Sequence, residues 1–246
     1  MRYFFVEPSS IKEQKAVITG SNAHHIHTVL RLKPGDMIRL FDGTGLEYQG
    51  RVETLSSNRA DVSILTRKRS PSESPVHITV AQALLKGRKM DGLVRQLTEL
   101  GISRWIPFVA DRSVVKPEKD RQLVRMDRWK AIVIEAAKQS KRGQITKIDQ
   151  VLFFEDILTI GNQHDLGLVF YEGSMRSLQQ VTACKENPIQ HILIVIGPEG
   201  GFTEKEIEKA QKSGIEIVGL GPRILKTETA TIAACTLVQF LFGDMG

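Results

Sequence analysis

The chain has 246 residues, of which 41% are hydrophobic and 25% charged, a composition that is typical of globular proteins and excludes a disordered or fibrous chain. No apolar run approaches the roughly 18 residues that a membrane-spanning helix needs. The charge is unevenly distributed, because residues 1–150 hold 27 Lys and Arg against 16 Asp and Glu (net +11), whereas residues 151–246 hold 7 against 12 (net −5). The front of the chain is therefore predicted to meet a polyanion.

Residues 1–70 are predicted to form a small β-barrel. Asn22 is predicted to cap a short helix over residues 24–32, and the turn sequence DGTG at residues 42–45 favours a hairpin. Runs rich in β-branched and large apolar residues predict strands at residues 3–6, 37–41, 46–54 and 60–65.

A polar, basic stretch with two prolines, residues 66–75, is interpreted as an interdomain linker. Beyond it, strand-like runs alternate with helical spacing, which predicts a second, α/β domain over residues 71–246 with a largely parallel sheet. Strands are predicted at residues 76–85, 105–109, 166–171, 192–196 and 215–218, and helices at residues 90–100, about 119–140 and 232–242. Cys184 and Cys235 are too few for a disulfide framework and fit a reducing compartment.

The strongest local motif follows the apolar strand at residues 192–196. The run GPEGGF at residues 197–202 places three glycines within five residues, and Thr203 with Glu206 forms a capping box that opens the next helix. Glycines at the carboxyl end of a buried strand allow a ligand to approach the backbone closely. The alternative is a tight turn that needs glycine only for its backbone conformation.

A second glycine-containing loop, GLGPRILKTETA, occupies residues 219–230. It begins like a dinucleotide-binding fingerprint, but Ile224 stands at the third glycine position and Pro222 delays the helix. The sequence contains no GxxxxGK[ST] run. Nicotinamide dinucleotides and P-loop nucleotide hydrolysis are therefore disfavoured.

Two basic segments, residues 86–89 and 138–142, are candidate RNA contacts, although cations near helix ends are also often simply solvated. His24 and His27 would share a helix face, but neither a Cys nor a carboxylate lies close by to complete a metal site. We therefore predict no metal and interpret the imidazoles beside Arg31 as an RNA-facing surface.

Taken in order, these motifs resemble the ribosomal RNA small subunit methyltransferase E family of the SPOUT superfamily, bacterial enzymes that methylate N3 of a 16S rRNA uridine. The resemblance spans essentially the whole chain. Its motifs are His25 with VLRL at residues 29–32, TELGI at 98–102 with Pro107, EAAKQSKR at 135–142, GPEGGF at 197–202 and ILKTETA at 224–230. The family usually has Arg where this chain has Lys226, so a forked interaction there is lost while the charge is kept.

The resemblance implies a fold and a cofactor. The fold would be an N-terminal PUA-like β-barrel (residues 1–70) followed by a C-terminal α/β trefoil-knot (SPOUT) domain (residues 71–246). The cofactor would be S-adenosylmethionine, held by three loops. Its implied contacts are Phe170, Tyr171, Glu172, Ile196, Gly197, Pro198, Glu199, Gly200, Gly201, Leu220, Gly221, Ile224, Leu225, Thr227, Glu228, Thr229 and Ala230.

The resemblance and the chemistry together nominate residues for catalysis and RNA binding. Arg142 first and Lys226 second would stabilise negative charge on the target base, with phosphate contacts as the alternative for both. Glu172 and Glu228 are candidate proton acceptors, with binding of cofactor hydroxyls or helix capping as the alternative. The candidate RNA contacts are His25, Arg31, Lys86, Arg88, Lys89, Lys138 and Arg142. The expected partners are 16S rRNA or a small-subunit particle and a second copy of the chain, and the expected location is the cytoplasm without membrane attachment. Two alternatives stay open: a SPOUT enzyme that methylates another RNA atom, and a non-catalytic RNA-binding protein.

Overall fold

The computed structural model describes residues 3–115, 119–182 and 188–246. The chain forms two compact units. The first comprises Met1–Glu73 together with Ile134–Ile145, and the second comprises Ser74–Val133 and Thr146–Gly246. The sequence indicated a boundary near residue 70 but did not indicate that a later segment returns to the first unit.

The first unit is a sheet in which the strands follow the order β1-β4-β5-β6-β3-β2. Its strands are β1 (Tyr3–Phe5), β2 (Ile11–Lys12), β3 (Lys15–Thr19), β4 (Met37–Phe41), β5 (Leu46–Leu55) and β6 (Arg59–Arg69), with helix α1 (Gly20–His24) and a π-helical turn at His25–Val29 after β3. Strands β1 and β4 are parallel, and the other pairs are antiparallel. Along β4, Ile38 and Leu40 are fully buried while Arg39 is exposed, which is the alternation of a half-buried strand.

The four predicted strands of this unit are confirmed, and β4 has the predicted bounds. The linker prediction is wrong for residues 66–69, because β5 supplies pairing partners to β6 as far as Arg69. Asn22 lies inside α1 and does not cap a later helix; its Nδ2 donates to the Phe5 carbonyl at 3.0 Å. Strand β3, a short run of sequence KAVIT, was not predicted.

The second unit alternates strands and helices, as predicted. Its elements are β7 (His77–Ala83), α2 (Lys89–Glu99), β8 (Arg104–Val109), α3 (Lys119–Ser140, whose residues from Ile134 onward belong to the first unit), β9 (Lys147–Ile148), β10 (Leu152–Phe153), α4 (Phe154–Gly161), β11 (Leu166–Phe170), α5 (Leu178–Thr182), β12 (His191–Ile196), α6 (Glu204–Lys212), β13 (Glu216–Val218) and α7 (Thr227–Phe242). The strand order is β10-β8-β7-β12-β11-β13, with β9 also paired to β8.

Every strand pairing recorded in this sheet is parallel, which confirms the predicted α/β class. Strand β12 lies between β7 and β11, and its residues Ile192–Ile196 are at most 2% exposed, so a continuous apolar run was the appropriate signal. Gly101 adopts a left-handed φ of 82° just after α2, a conformation in which helices commonly end on glycine. Because the strands are parallel, their carboxyl ends share one edge of the sheet.

Among the described residues, none of the helices has the length and apolar character needed to cross a membrane. Cys235 is buried in α7, and burial raises the pKa of its thiol. Cys184 lies outside the described residues.

Candidate active site

Three neighbouring strands of the second unit end at the same level of the sheet. Phe170, the last residue of β11, is in register with Ile196 of β12 on one side and Val218 of β13 on the other. The loops that follow these strands and the first turn of α7 enclose a cavity of about 480 Å³. This is the geometry in which open parallel sheets bind ligands.

The cavity brings together most of the residues that the sequence nominated for the cofactor. Gly200 and Thr229 are the two nominated residues outside its lining. The nominated residues in the lining are Phe170, Tyr171, Glu172, Ile196, Gly197, Pro198, Glu199, Gly201, Leu220, Gly221, Ile224, Leu225, Thr227, Glu228 and Ala230, joined by the proposed catalytic Lys226. Phe202, Arg223 and Lys89 also line the cavity without having been nominated for it. Phe202 and Arg223 adjoin nominated runs, whereas Lys89 is remote in sequence.

Two glycines of the first loop are required by their surroundings. Gly201 has a left-handed φ of 68°, and a Cβ placed there would lie 2.6 Å from Glu172 Oε1. A Cβ on Gly197 would lie 3.0 Å from the Phe202 ring. The run therefore serves both purposes that the sequence left open, a turn that needs glycine and a wall of the cavity.

A buried polar network holds this loop against α7. The Gly197 carbonyl accepts hydrogen bonds from Thr227 Oγ1 at 3.1 Å and Gln82 Nε2 at 3.4 Å. Gln82 is fully buried, and its Oε1 lies 2.6 Å from the Thr231 hydroxyl. Residues from β7 and α7 thus fix the backbone carbonyl of the residue that follows β12.

Charged groups at the cavity form a cluster of one ammonium and two carboxylates. Lys89 Nζ lies 3.0 Å from Glu199 Oε1 and 3.1 Å from Glu228 Oε1. Burial raises the pKa of Glu199, but hydrogen bonds from Lys89 and from the backbone outweigh it, so the pKa is lowered overall. Hydrogen bonds to Glu199 and Glu228 raise the pKa of Lys89. Glu228 Oε2 is buried and has no hydrogen-bond partner among the described residues.

Most of the candidate RNA contacts are exposed, but Lys138 is not. His25 and Arg31 are exposed in the first unit, and Lys86 and Arg88 are exposed just before α2 in the second. Lys138 is mostly buried, with its Nζ 2.7 Å from Glu135 and 3.3 Å from Asn22. The exposed cations satisfy the minimum requirement for contacting phosphates.

Arg142 is held inside the first unit and does not join the cavity lining. Its side chain is 2% exposed, and its Nη2 donates to Glu73 Oε2 at 2.9 Å. The other oxygen of Glu73 accepts from the backbone N–H groups of Gly143 and Gln144, and the Arg142 carbonyl accepts from the Tyr3 hydroxyl at 3.2 Å. Arg142 and Glu73 therefore fasten the returning segment to the residues before 74.

Comparisons with known proteins agree with this architecture. Residues 72–239 match the family described as RNA methyltransferase domain, and residues 18–65 match the one described as RNA methyltransferase PUA domain. The fold is thus that of a two-domain RNA methyltransferase, in which a PUA domain precedes an α/β methyltransferase domain along the sequence. The ribosomal RNA small subunit methyltransferase E of Bacillus subtilis is 32% identical to this chain, over 98% of this chain and 96% of that protein. The chain belongs to the ribosomal RNA small subunit methyltransferase E family, which confirms the resemblance seen in the sequence.

Two solved structures show the same fold over nearly the full length. A ribosomal RNA small subunit methyltransferase E from Neisseria gonorrhoeae, bound to S-adenosyl methionine, is 30% identical with a TM-score of 0.85 and full coverage of both chains. A methyltransferase from Legionella pneumophila, in complex with the same cofactor, is 28% identical with a TM-score of 0.86 and 98% coverage of both chains.

Proposed function

We propose that this protein uses S-adenosylmethionine to methylate N3 of a uridine in 16S rRNA of the small ribosomal subunit. The observation that carries the proposal is the cavity at the ends of β11, β12 and β13, whose lining collects fifteen of the seventeen residues that the sequence nominated for the cofactor. Family membership supports the same reaction.

The cavity has the chemistry that the cofactor needs. Its volume of about 480 Å³ lies within the roughly 300–1,000 Å³ of small-molecule sites. Apolar side chains such as Ile196, Leu220 and Leu225 suit an adenine ring, and the unpartnered Glu228 Oε2 suits a hydroxyl or amino donor. When bound, S-adenosylmethionine supplies an electrophilic methyl group on a sulfonium.

The protein's own contribution is chiefly to position the two reactants and to stabilise charge on the base. Uridine N3 carries a weakly acidic imide proton that must leave. Lys226 lines the cavity and is exposed, whereas Arg142 is buried against Glu73, so we now rank Lys226 first and Arg142 second as the stabilising cation. Glu172 is our proposed proton acceptor, since it is exposed in the lining while Glu228 is paired with Lys89.

The target and the assembly follow from the same reasoning. N3 faces the partner base in a duplex, so the uridine must be unpaired or flipped out. Gly200 and Thr229 lie outside the cavity lining, and we propose that movement of their loops brings them into contact with the cofactor.

We further propose a trefoil knot in the second unit, a homodimer, and action in the cytoplasm on rRNA or a small-subunit particle. Leu237, Phe240 and Leu241 of α7 are 42%, 59% and 38% exposed, which supports a second copy as their cover.

The decisive experiment is mass spectrometry of 16S rRNA nucleosides from a strain that lacks the gene. We expect loss of 3-methyluridine and its return on complementation. Loss of a different methylated nucleoside would instead identify a SPOUT enzyme with another target, and unchanged nucleosides would favour a non-catalytic RNA-binding protein.

A matched pair of glycine variants tests the cofactor site. Gly201→Ala introduces a Cβ into a left-handed position facing Glu172, so calorimetry should show S-adenosylmethionine binding weakened about tenfold or more. Gly214→Ala carries the same kind of backbone strain (φ 77°) away from this cavity and should destabilise the fold without loss of affinity. Equal affinities in the two variants would argue against the assignment of this loop.

A further inference from the structure

Lys89 belongs both to a basic surface segment and to the lining of the cavity. It belongs to the basic segment at residues 86–89, and Lys86 and Arg88 of that segment are exposed. Yet its ammonium lies about equally far, 3.0 and 3.1 Å, from Glu199 in the loop after β12 and from Glu228 in the first turn of α7. Its side chain is 38% exposed, so the ammonium can leave the carboxylates without disturbing the core.

The ammonium also balances the charge of the cavity. Among the described lining residues, Lys89, Arg223 and Lys226 oppose Glu172, Glu199 and Glu228, so the lining is formally neutral. Without Lys89 it would carry one net negative charge. Lys89 therefore holds the place that a positively charged ligand would take beside Glu199 and Glu228.

The cofactor of the proposed function changes its charge during the reaction. S-adenosylmethionine has a positive sulfonium, and the product S-adenosylhomocysteine has a neutral thioether in its place. A cation in the cavity competes with Lys89 for the two carboxylates, whereas a neutral ligand does not.

We propose that Lys89 couples the charge of the bound cofactor to RNA affinity. This inference rests on the proposed function. The cationic cofactor displaces the Lys89 ammonium from Glu199 and Glu228, and the released ammonium joins Lys86 and Arg88 in contacting RNA phosphates. After methyl transfer the sulfonium charge is gone, Lys89 returns to the carboxylates, and the methylated RNA is bound less tightly.

The coupling is measured as RNA affinity in three cofactor states. The probe is full-length 16S rRNA transcribed in vitro, at low salt, with no ligand, with S-adenosylhomocysteine, or with sinefungin, an analogue that carries an amine and cannot transfer a methyl group. We expect the cationic ligand to raise RNA affinity about fivefold over the neutral one, within the usual range of coupling energies. The same factor should relate the affinities of the two ligands with and without RNA, because coupling is reciprocal.

Variants separate this role from a plain phosphate contact. Lys89→Met should abolish the difference between the cationic and neutral ligands, and Lys89→Arg should keep it. Lys86→Met, which removes one charge from the same segment, should weaken RNA binding in all three states and leave the difference intact. Without RNA, Lys89→Met should shift relative affinity toward S-adenosylmethionine over S-adenosylhomocysteine, because the lining loses one positive charge.

Three outcomes would overturn the inference in distinguishable ways. If neither ligand binds, the proposed function fails and this inference fails with it. If both bind and wild-type RNA affinity is the same with each, only the coupling is wrong. If the difference persists in Lys89→Met, coupling exists but another residue carries it.

Discussion

At the scale of single residues, close backbone approaches decide which positions tolerate change. Gly219 follows β13, and its N–H donates to the Arg176 carbonyl at 2.9 Å. A Cβ on Gly219 would lie 2.2 Å from the Ser174 carbonyl oxygen, which belongs to backbone and cannot swing away. The glycine therefore allows the loop after β11 to pack directly on the chain that leads to α7.

We expect Gly219→Ala to destabilise the protein by about 2–4 kcal/mol, through forced separation of the two backbone segments. Gly92→Ala is the matched control, because a Cβ within α2 at that site has nothing within 4 Å and alanine favours a helix. Thermal unfolding should show a lower midpoint for the first variant and an equal or higher midpoint for the second. Equal midpoints would contradict the close approach.

The buried pair of Arg142 and Glu73 makes a second residue-scale prediction. Arg142→Met leaves Glu73 without its cation and should cost about 3–5 kcal/mol of stability, whereas Arg142→Met with Glu73→Met should recover part of that loss. Denaturant unfolding of both single variants and the double variant measures the pair. If Arg142→Met unfolds like wild type but loses methyl transfer, Arg142 acts in catalysis rather than in fastening the segment.

At the scale of secondary-structure elements, His164 connects the end of α4 to the sheet. Its Nδ1 lies 2.9 Å from the Ile160 carbonyl of α4, so Nδ1 carries the proton, and its Nε2 accepts from the Thr79 hydroxyl of β7 at 3.0 Å. Burial lowers the pKa of His164, with further lowering by His191 and Arg104. The hydrogen bond to Ile160 opposes these effects without reversing them.

The lowered pKa of His164 makes the stability of the fold depend on pH. Because the folded pKa of His164 lies below the unfolded value of 6.5, the unfolded chain binds a proton more readily, and stability falls as pH falls below 6.5. His164→Gln keeps a donor and an acceptor but does not titrate, so its unfolding free energy should fall less over that range. The difference between the two proteins in denaturant unfolding from pH 7.5 to pH 5 isolates this residue. Parallel curves would show that His164 titrates alike in both states.

At the scale of the whole molecule, α7 presents an apolar surface that its own unit leaves open. Val238 and Cys235 are fully buried, whereas Phe240 on the same helix is 59% exposed. The sequence of residues 232–242 is apolar nearly all round, and a helix of that kind must be covered either by its own sheet or by a partner. In the structure, one face of α7 packs toward the sheet and the other face is exposed.

We expect Phe240→Glu to convert a dimer into a monomer at micromolar concentration, as judged by light scattering, because a buried carboxylate would be unpaired in the interface. Phe153→Glu is the matched control, since Phe153 is 61% exposed at the end of β10, just before α4, and should not affect assembly. A wild-type protein that is monomeric would defeat the proposed homodimer. Dissociation by both variants would show that the interface is not formed by α7 alone.

RNA docking is also a property of the whole molecule. The first unit holds 14 Lys and Arg against 9 Asp and Glu, a net +5, whereas the larger second unit holds 20 against 19, a net +1. Lys68→Gln and Arg31→Gln should therefore each reduce the salt dependence of RNA affinity by about one unit of log–log slope, and the exposed Lys212→Gln on α6 should not. Equal slopes for all three variants would show that the first unit does not dock RNA.

The sequence by itself determined the features that depend on local pattern. The apolar run of β12, the capping box at Thr203 and Glu206, and the glycine at 201 are each legible within about ten residues, because strand burial, helix capping and backbone conformation are local requirements. The lining residues themselves were implied by the family resemblance, and the rule that parallel strands end at one edge agrees with the three loops that it indicated.

Only the tertiary structure decided what distant segments do to one another. Lys89 reached the cavity because β7, the strand before α2, pairs with β12, a neighbour more than a hundred residues later in the chain. Arg142 was nominated from the sequence as a catalytic cation and RNA contact near a helix end, but the return of Ile134–Ile145 to the first unit buries it against Glu73. The pairing of strands and the burial of charges depend on contacts across the chain, whose free energy no local pattern encodes.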